Sequence, residues 1–140
     1  MSSAATAAAS PSGVKFARIV YWAAGIWGVL LLAPLYFIFD MVGRQDPPPV
    51  THPLFYYGFA GAGLAWQAAF MIIATCPERY RQMMIATWLE KFSYGAAATV
   101  LFLQHRLRPA DFAFGCIDLM WLVLFIAAYR KTPARSNAVY

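Results

Sequence analysis

Four apolar blocks of about twenty residues each, separated by short charged or proline-rich breaks, dominate the chain: Ile19 to Phe39, Leu54 to Cys76, Met83 to Leu103 and Ala110 to Tyr129. A helix rises ~1.5 Å per residue, so each block is long enough to cross ~30 Å of hydrocarbon. A membrane-spanning strand would need ~10 residues and would alternate polar with apolar, a pattern absent from Leu119 to Tyr129 (LMWLVLFIAAY). The blocks predict an all-α fold, a membrane-embedded antiparallel four-helix bundle over residues 15–132. Residues 1–14, rich in Ala and Ser up to Gly13, read as a flexible N-terminal tail, and residues 133–140 as a C-terminal one.

Composition agrees: 61% of the 140 residues are hydrophobic and 12% charged, against about 25% charged in a soluble domain. The first block is read as a permanent helix rather than a cleaved leader. Its apolar run is long, it holds Trp22, Trp27 and Pro34, and no small-x-small site follows it.

The net charge of +5 does not call for nucleic acid, because the basic residues cluster at the block ends. Lys15, Arg18, Arg79, Arg81, Arg130, Lys131 and Arg135 fall on one side, and Arg44, Arg106 and Arg108 on the other. By the positive-inside rule both termini are expected in the cytoplasm, as in a multi-pass protein of a bacterial inner membrane. Cys76 and Cys116 then lie roughly 20 Å apart in depth, too far for a disulfide within one chain.

The segment Arg44 to Pro53 (RQDPPPVTHP) is expected to be a stiff, extended outer loop, since its prolines remove backbone donors. Cys76 to Gln82 and Gln104 to Pro109 are short connections, which makes the helices they join antiparallel neighbours. Pro34 is expected to kink the first helix. Small residues recur every fourth position at Gly58 and Ala62, and at Gly61, Ala65 and Ala69, with a shorter stripe at Ala24 and Gly28. Such stripes let helices approach closely, either inside the bundle or in a homodimer through Gly61, Ala65 and Ala69.

The informative residues are the polar ones inside the blocks. Counted from the cytoplasmic ends, Glu90 lies at ~10 Å, Lys91 at ~12 Å, Gln67 at ~13 Å and Asp118 at ~16 Å depth. Each charge costs ~2.5–3.5 kcal/mol or more if it meets lipid unpaired. A buried cluster of Gln67, Glu90, Tyr94 and Asp118 is therefore expected, with Lys91 either its counter-ion or turned outward to snorkel. The cluster is open to two readings. It fixes helix register, or it floors a cavity for a lipophilic or cationic small molecule, with Trp66 and Trp121 as apolar walls. The first block carries only aromatic hydroxyls and indoles and is expected to be a plain wall. His52 and His105 fall at the outer ends without ligand spacing, so no metal and no cofactor is expected.

Thr51 to Gln67 (THPLFYYGFAGAGLAWQ), Pro77 to Arg81 (PERYR), Leu89 to Gly95 (LEKFSYG), Asp118 and Ala128 to Thr132 (AYRKT) resemble a family of small bacterial four-helix integral membrane proteins of uncharacterised activity. Ala65 to Ala74 (AWQAAFMIIA) is more loosely similar to the EXPERA domains, the emopamil-binding-protein-like group. That likeness implies a site for lipophilic amines or sterols above buried carboxylates, although the second block here has no acidic residue. Small multidrug-resistance exporters are similar in length and helix number, but their key glutamate lies in the first helix. The leading expectation is a non-enzymatic membrane protein that binds a small molecule. The alternatives are a lipid-modifying enzyme in which Glu90 or Asp118 moves a proton, and a structural or accessory subunit.

Overall fold

A computed structural model describes residues 11–45 and 49–134. It is all-helical among these residues, with five α-helices: α1 (Pro11–Leu32), α2 (Phe39–Gln45), α3 (Pro53–Thr75), α4 (Met83–Leu103) and α5 (Pro109–Lys131). Of the expected tails, 1–14 and 133–140, residues 1–10 and 135–140 lie outside the described residues, as do Asp46, Pro47 and Pro48 of the outer loop, whereas residues 11–14 are not tail but the first turn of α1.

Proline sets several of the boundaries. Pro11, Pro53 and Pro109 open α1, α3 and α5, where the missing N–H is no loss and the fixed φ is already helical. Thus α1 starts well before Ile19. Pro34 does more than kink the first block, because it cannot donate to the preceding turn. There α1 ends, and the chain tightens into a 3-10 turn, Ala33–Tyr36, with Phe37 N donating to Pro34 O at 2.9 Å. The expected extended path from Arg44 is corrected too: Arg44 and Gln45 close α2, a fifth helix. At the far end of α4, His105 takes a left-handed φ of 56°. Arg106 N donates to Leu101 O at 2.9 Å and His105 N to Phe102 O at 3.0 Å, a helix stop of the Schellman type.

Two helix pairs make the bundle. Packing is most extensive between α1 and α3 and between α4 and α5; α1 and α5 join the pairs, whereas α3 and α4 touch sparingly. The short connection does not make α3 and α4 close neighbours, contrary to expectation, because the small-residue faces lie elsewhere. Gly28 of α1 lies against Gln67 of α3, where a Cβ would run into the carboxamide. A Cβ on Gly115 of α5 would sit 2.5 Å from Ala98 Cβ of α4. Ala24 and Gly28 are buried, whereas Gly58, Ala62 and Ala65 face outward, and a Cβ on Gly58 would meet no described residue of another element within 4 Å. Those outward residues of the α3 stripe therefore do not serve internal packing.

α1 is more than a wall. Tyr21 is fully buried, stacked on Phe125 with ring centroids 4.4 Å apart, and its hydroxyl shares a 2.9 Å hydrogen bond with Thr87 Oγ1. Around it Val20, Ala24, Phe70, Ile73, Met84 and Ala128 complete the core.

Three helical segments are long and apolar enough to span a membrane: Ser12–Tyr36, Pro53–Thr75 and Pro109–Lys131. α4 has the length, 21 residues, but adjacent Glu90 and Lys91 lower its hydropathy, so composition alone supports three crossings rather than four.

The basic residues sort by end. Arg18 Nη2 donates to Thr75 O at 3.1 Å, Arg81 Nε donates to Thr132 O at 2.8 Å, and Lys131 lies over the Phe16 ring at 4.5 Å. At the opposite end Arg108 pairs with Asp111 Oδ2 at 2.9 Å, and its Nη1 donates to Gln45 O at 3.0 Å, tying α5 to α2.

Candidate functional site

The helix pair α4–α5 brings the charges of the apolar blocks together. Lys91 Nζ stands 3.1 Å from Asp118 Oδ1 and 3.3 Å from Glu90 Oε2. The lysine is 6% exposed, and both carboxylate side chains are 17% exposed. Lys91 therefore does not snorkel; its stem runs inward and its ammonium is the counter-ion of both acids. The arrangement follows from the helix: neighbouring residues point ~100° apart, so Glu90 and Lys91 converge only because the lysine stem is long and flexible.

The third helix at this point contributes an aromatic face. Lys91 Nζ lies 5.3 Å from the centroid of Phe70 on α3, a cation–π contact worth about 0.5–2 kcal/mol. Sequence reasoning missed Phe70, since a phenylalanine in an apolar block carries no sign of what its ring faces.

Two expected members are elsewhere. Gln67 Nε2 donates to Gly63 O on its own helix at 3.0 Å, and its carboxamide abuts Gly28 of α1. Helical phase explains this, because the face of α3 that carries Gln67 meets α1 rather than α4. Tyr94 stacks on Phe59 at 6.3 Å and is part exposed, with no hydrogen bond to the carboxylates. Trp66 and Trp121 pack against the core, 6.3 Å from the rings of Phe70 and Phe125 respectively.

The site is left electrostatically incomplete. Two carboxylates share one ammonium, so with all three groups ionised the triad carries one net negative charge. Glu90 Oε2 is shielded from solvent and, among the described residues, has ion-pair contact but no hydrogen-bond donor. The indole N–H groups of Trp88 and Trp121 are likewise without acceptors, and these tryptophans lie one helical turn from Lys91 and Asp118 respectively. The cluster can thus hold a cation by charge and by an acceptor oxygen.

Lys91 spans the distance between α4 and α5 at the cluster, touching an acid on each. Two open concavities, of about 270 and 280 Å³, lie at the α2 end, and neither is lined by Glu90, Lys91 or Asp118. His52 Nδ1 is hydrogen-bonded with Thr51 Oγ1 at 2.8 Å, His105 sits exposed in the α4–α5 turn, and among the described residues no three His, Cys, Asp or Glu side chains gather as metal ligands. Cys76 and Cys116 are free thiols. Compared with known proteins, the chain matches no family model, no curated protein and no solved structure.

Proposed function

We propose that the chain is an integral membrane protein crossing the bilayer four times, both termini cytoplasmic, and that Glu90, Lys91 and Asp118 hold a lipophilic small-molecule cation. The crossing by α4 is supported by how its side chains divide. Leu89 is 70% exposed, and Ile85, Phe92, Val100 and Leu103 also face outward, while Lys91 is 6% exposed. An outward face of this kind suits lipid, and an inward ion pair is how a charged residue survives there. Arg18, Arg81 and Lys131 at one end supply the basic excess of a cytoplasmic side.

The observation that carries the binding reading is the pairing of two carboxylates with a single ammonium. An uncompensated charge in a low-dielectric layer is costly. A lipophilic ammonium arriving between the sparingly packed α3 and α4 would restore neutrality and meet the rings of Phe70, Phe59 and Tyr94. This agrees with the likeness to EXPERA domains, here with the acids on α4 and α5. The second reading, a triad that only locks α4 to α5, is favoured by the way Lys91 bridges the gap.

Titrating a lipophilic amine and its uncharged analogue into the detergent-purified chain, with tryptophan fluorescence as readout, separates the two. Binding of the amine alone, weakened roughly tenfold or more by Glu90→Gln and by Asp118→Asn, supports the site. Unchanged binding in both variants, or none in the unaltered protein, leaves the triad as a lock. Reporter fusions at the two termini test the crossings: opposite sides would defeat the four-helix topology.

A further inference from the structure

The α2 end of the bundle carries a second polar feature, independent of the triad. Asp40 and Arg44 sit one helical turn apart on α2, and both line the concavity of about 280 Å³ together with Tyr36, Phe39 and Tyr57. The order acid then base at i, i+4 is one in which a pair commonly forms along a helix. Here neither side chain makes an ion pair with the other or with another described residue. Two opposite charges therefore face one concavity and remain available to a ligand.

The walls are well fixed. Tyr57 stacks on Tyr36 and on Phe39, each at 5.6 Å, and Phe39 meets Tyr56 edge-on at 5.0 Å. Tyr56 in turn donates its hydroxyl to Leu35 O at 2.9 Å. Beside this rim stand largely exposed apolar side chains: Phe37 is 89% exposed, and Leu54 and Phe55 are nearly as open. Aromatic rings with charges at their edge, next to bare apolar groups, make the profile of a membrane–water interface.

We infer that this concavity is a subsite for the headgroup of a zwitterionic phospholipid, its phosphate on Arg44 and its ammonium on Asp40 between Tyr36 and Tyr57. The inference rests on the membrane reading of the chain but not on the triad as a cation site. Guanidinium suits phosphate through directed N–H donors, and an ammonium two carbons beyond the phosphate falls within reach of a carboxylate one helical turn away. The tyrosine faces add cation–π attraction for that ammonium. An anionic headgroup such as glycerol phosphate would gain Arg44 but meet Asp40 unfavourably.

Native mass spectrometry of the full chain in detergent, titrated with phosphatidylethanolamine and phosphatidylglycerol of identical acyl chains, tests this. The expected result is a preference of roughly tenfold for the zwitterionic lipid, collapsing towards equality in Asp40→Asn. Arg44→Gln should weaken retention of both lipids. Equal retention by the unaltered protein, or an unchanged preference in Asp40→Asn, would overturn the inference. Displacement of the lipid by water-soluble phosphoethanolamine at equal concentration would overturn the lipid as occupant. Extraction of the chain from cells without detergent would defeat the membrane reading itself, and the subsite with it.

Discussion

Lys91 Nζ and Asp118 Oδ1, 3.1 Å apart, tie α4 to α5 through the middle of both helices. Because Glu90 leans on the same ammonium, the three possible neutralisations are unequal. Lys91→Met leaves two facing carboxylates, whereas Asp118→Asn or Glu90→Gln leaves one acid and one base.

The first prediction follows from that asymmetry. Lys91→Met should cost about 3–5 kcal/mol, the range for removing one partner of a buried pair. Asp118→Asn and Glu90→Gln should each cost less than about half of that, since charge balance is restored in them. Denaturant titration in mixed micelles reads all three; equal losses in the three variants would show that net charge is not what the cluster balances.

A second prediction concerns Tyr21, the only fully buried tyrosine among the described residues. Its hydroxyl reaches Thr87 Oγ1, which itself donates to Met84 O at 2.7 Å. Tyr21→Phe keeps the stacking on Phe125 and loses one hydrogen bond, so the expected cost is about 0.5–1.5 kcal/mol. Tyr21→Ala also removes the ring and should cost about 3–5 kcal/mol. Comparing their unfolding midpoints in the same micelles checks the ratio; a phenylalanine variant as unstable as the alanine one would place the stability in the hydroxyl.

These two sites mark what was legible in the sequence. Block lengths announce four long helices, and Glu90, Lys91 and Asp118 stand out because a charge within an apolar run has to find a partner. Depth counting places them at one level, and the structure brings them into contact. Rotation about each helix axis was not legible. Gln67 has the right depth but faces α1, and Tyr21 looks like any aromatic of an outer wall yet sits in the core. The exposure of Gly58 could not be read either, because a small residue fits a helix contact and a lipid face equally well. α2 was hidden by the prolines that follow it, which suggested an extended path from Arg44 onward, although Phe39 to Gln45 contains no proline and can close a short helix.

A third prediction contrasts two glycines on different faces. Gly115→Ala puts a methyl 2.5 Å from Ala98 Cβ, so α4 and α5 must separate. The expected loss is about 1–3 kcal/mol. Gly58→Ala meets nothing within 4 Å and replaces glycine in a helix, so it should be neutral or stabilising by up to about 1 kcal/mol. If Gly58→Ala instead destabilises, and does so only at high protein concentration in the micelle, the outward stripe of α3 is a contact between two copies of the chain.

The fourth prediction tests the seam between α1 and α3. A Cβ at Gly28 would overlap the Gln67 carboxamide, whose Oε1 has no hydrogen-bond donor among the described residues. Gly28→Ala alone should therefore destabilise by about 1–3 kcal/mol, since the carboxamide must leave its rotamer or push α3 away. Gln67→Ala alone removes a buried side chain and leaves a void, but it also deletes an acceptor whose burial without a donor is unfavourable, so its cost should fall below that of an apolar truncation of equal size. Combined, the two changes are complementary: the new methyl occupies part of the space the carboxamide vacates. The double variant should be more stable than the sum of the single effects implies, by about 1 kcal/mol or more of coupling. Strict additivity in a double-mutant cycle, measured by unfolding in micelles, would mean that α1 and α3 do not meet at Gly28 and Gln67.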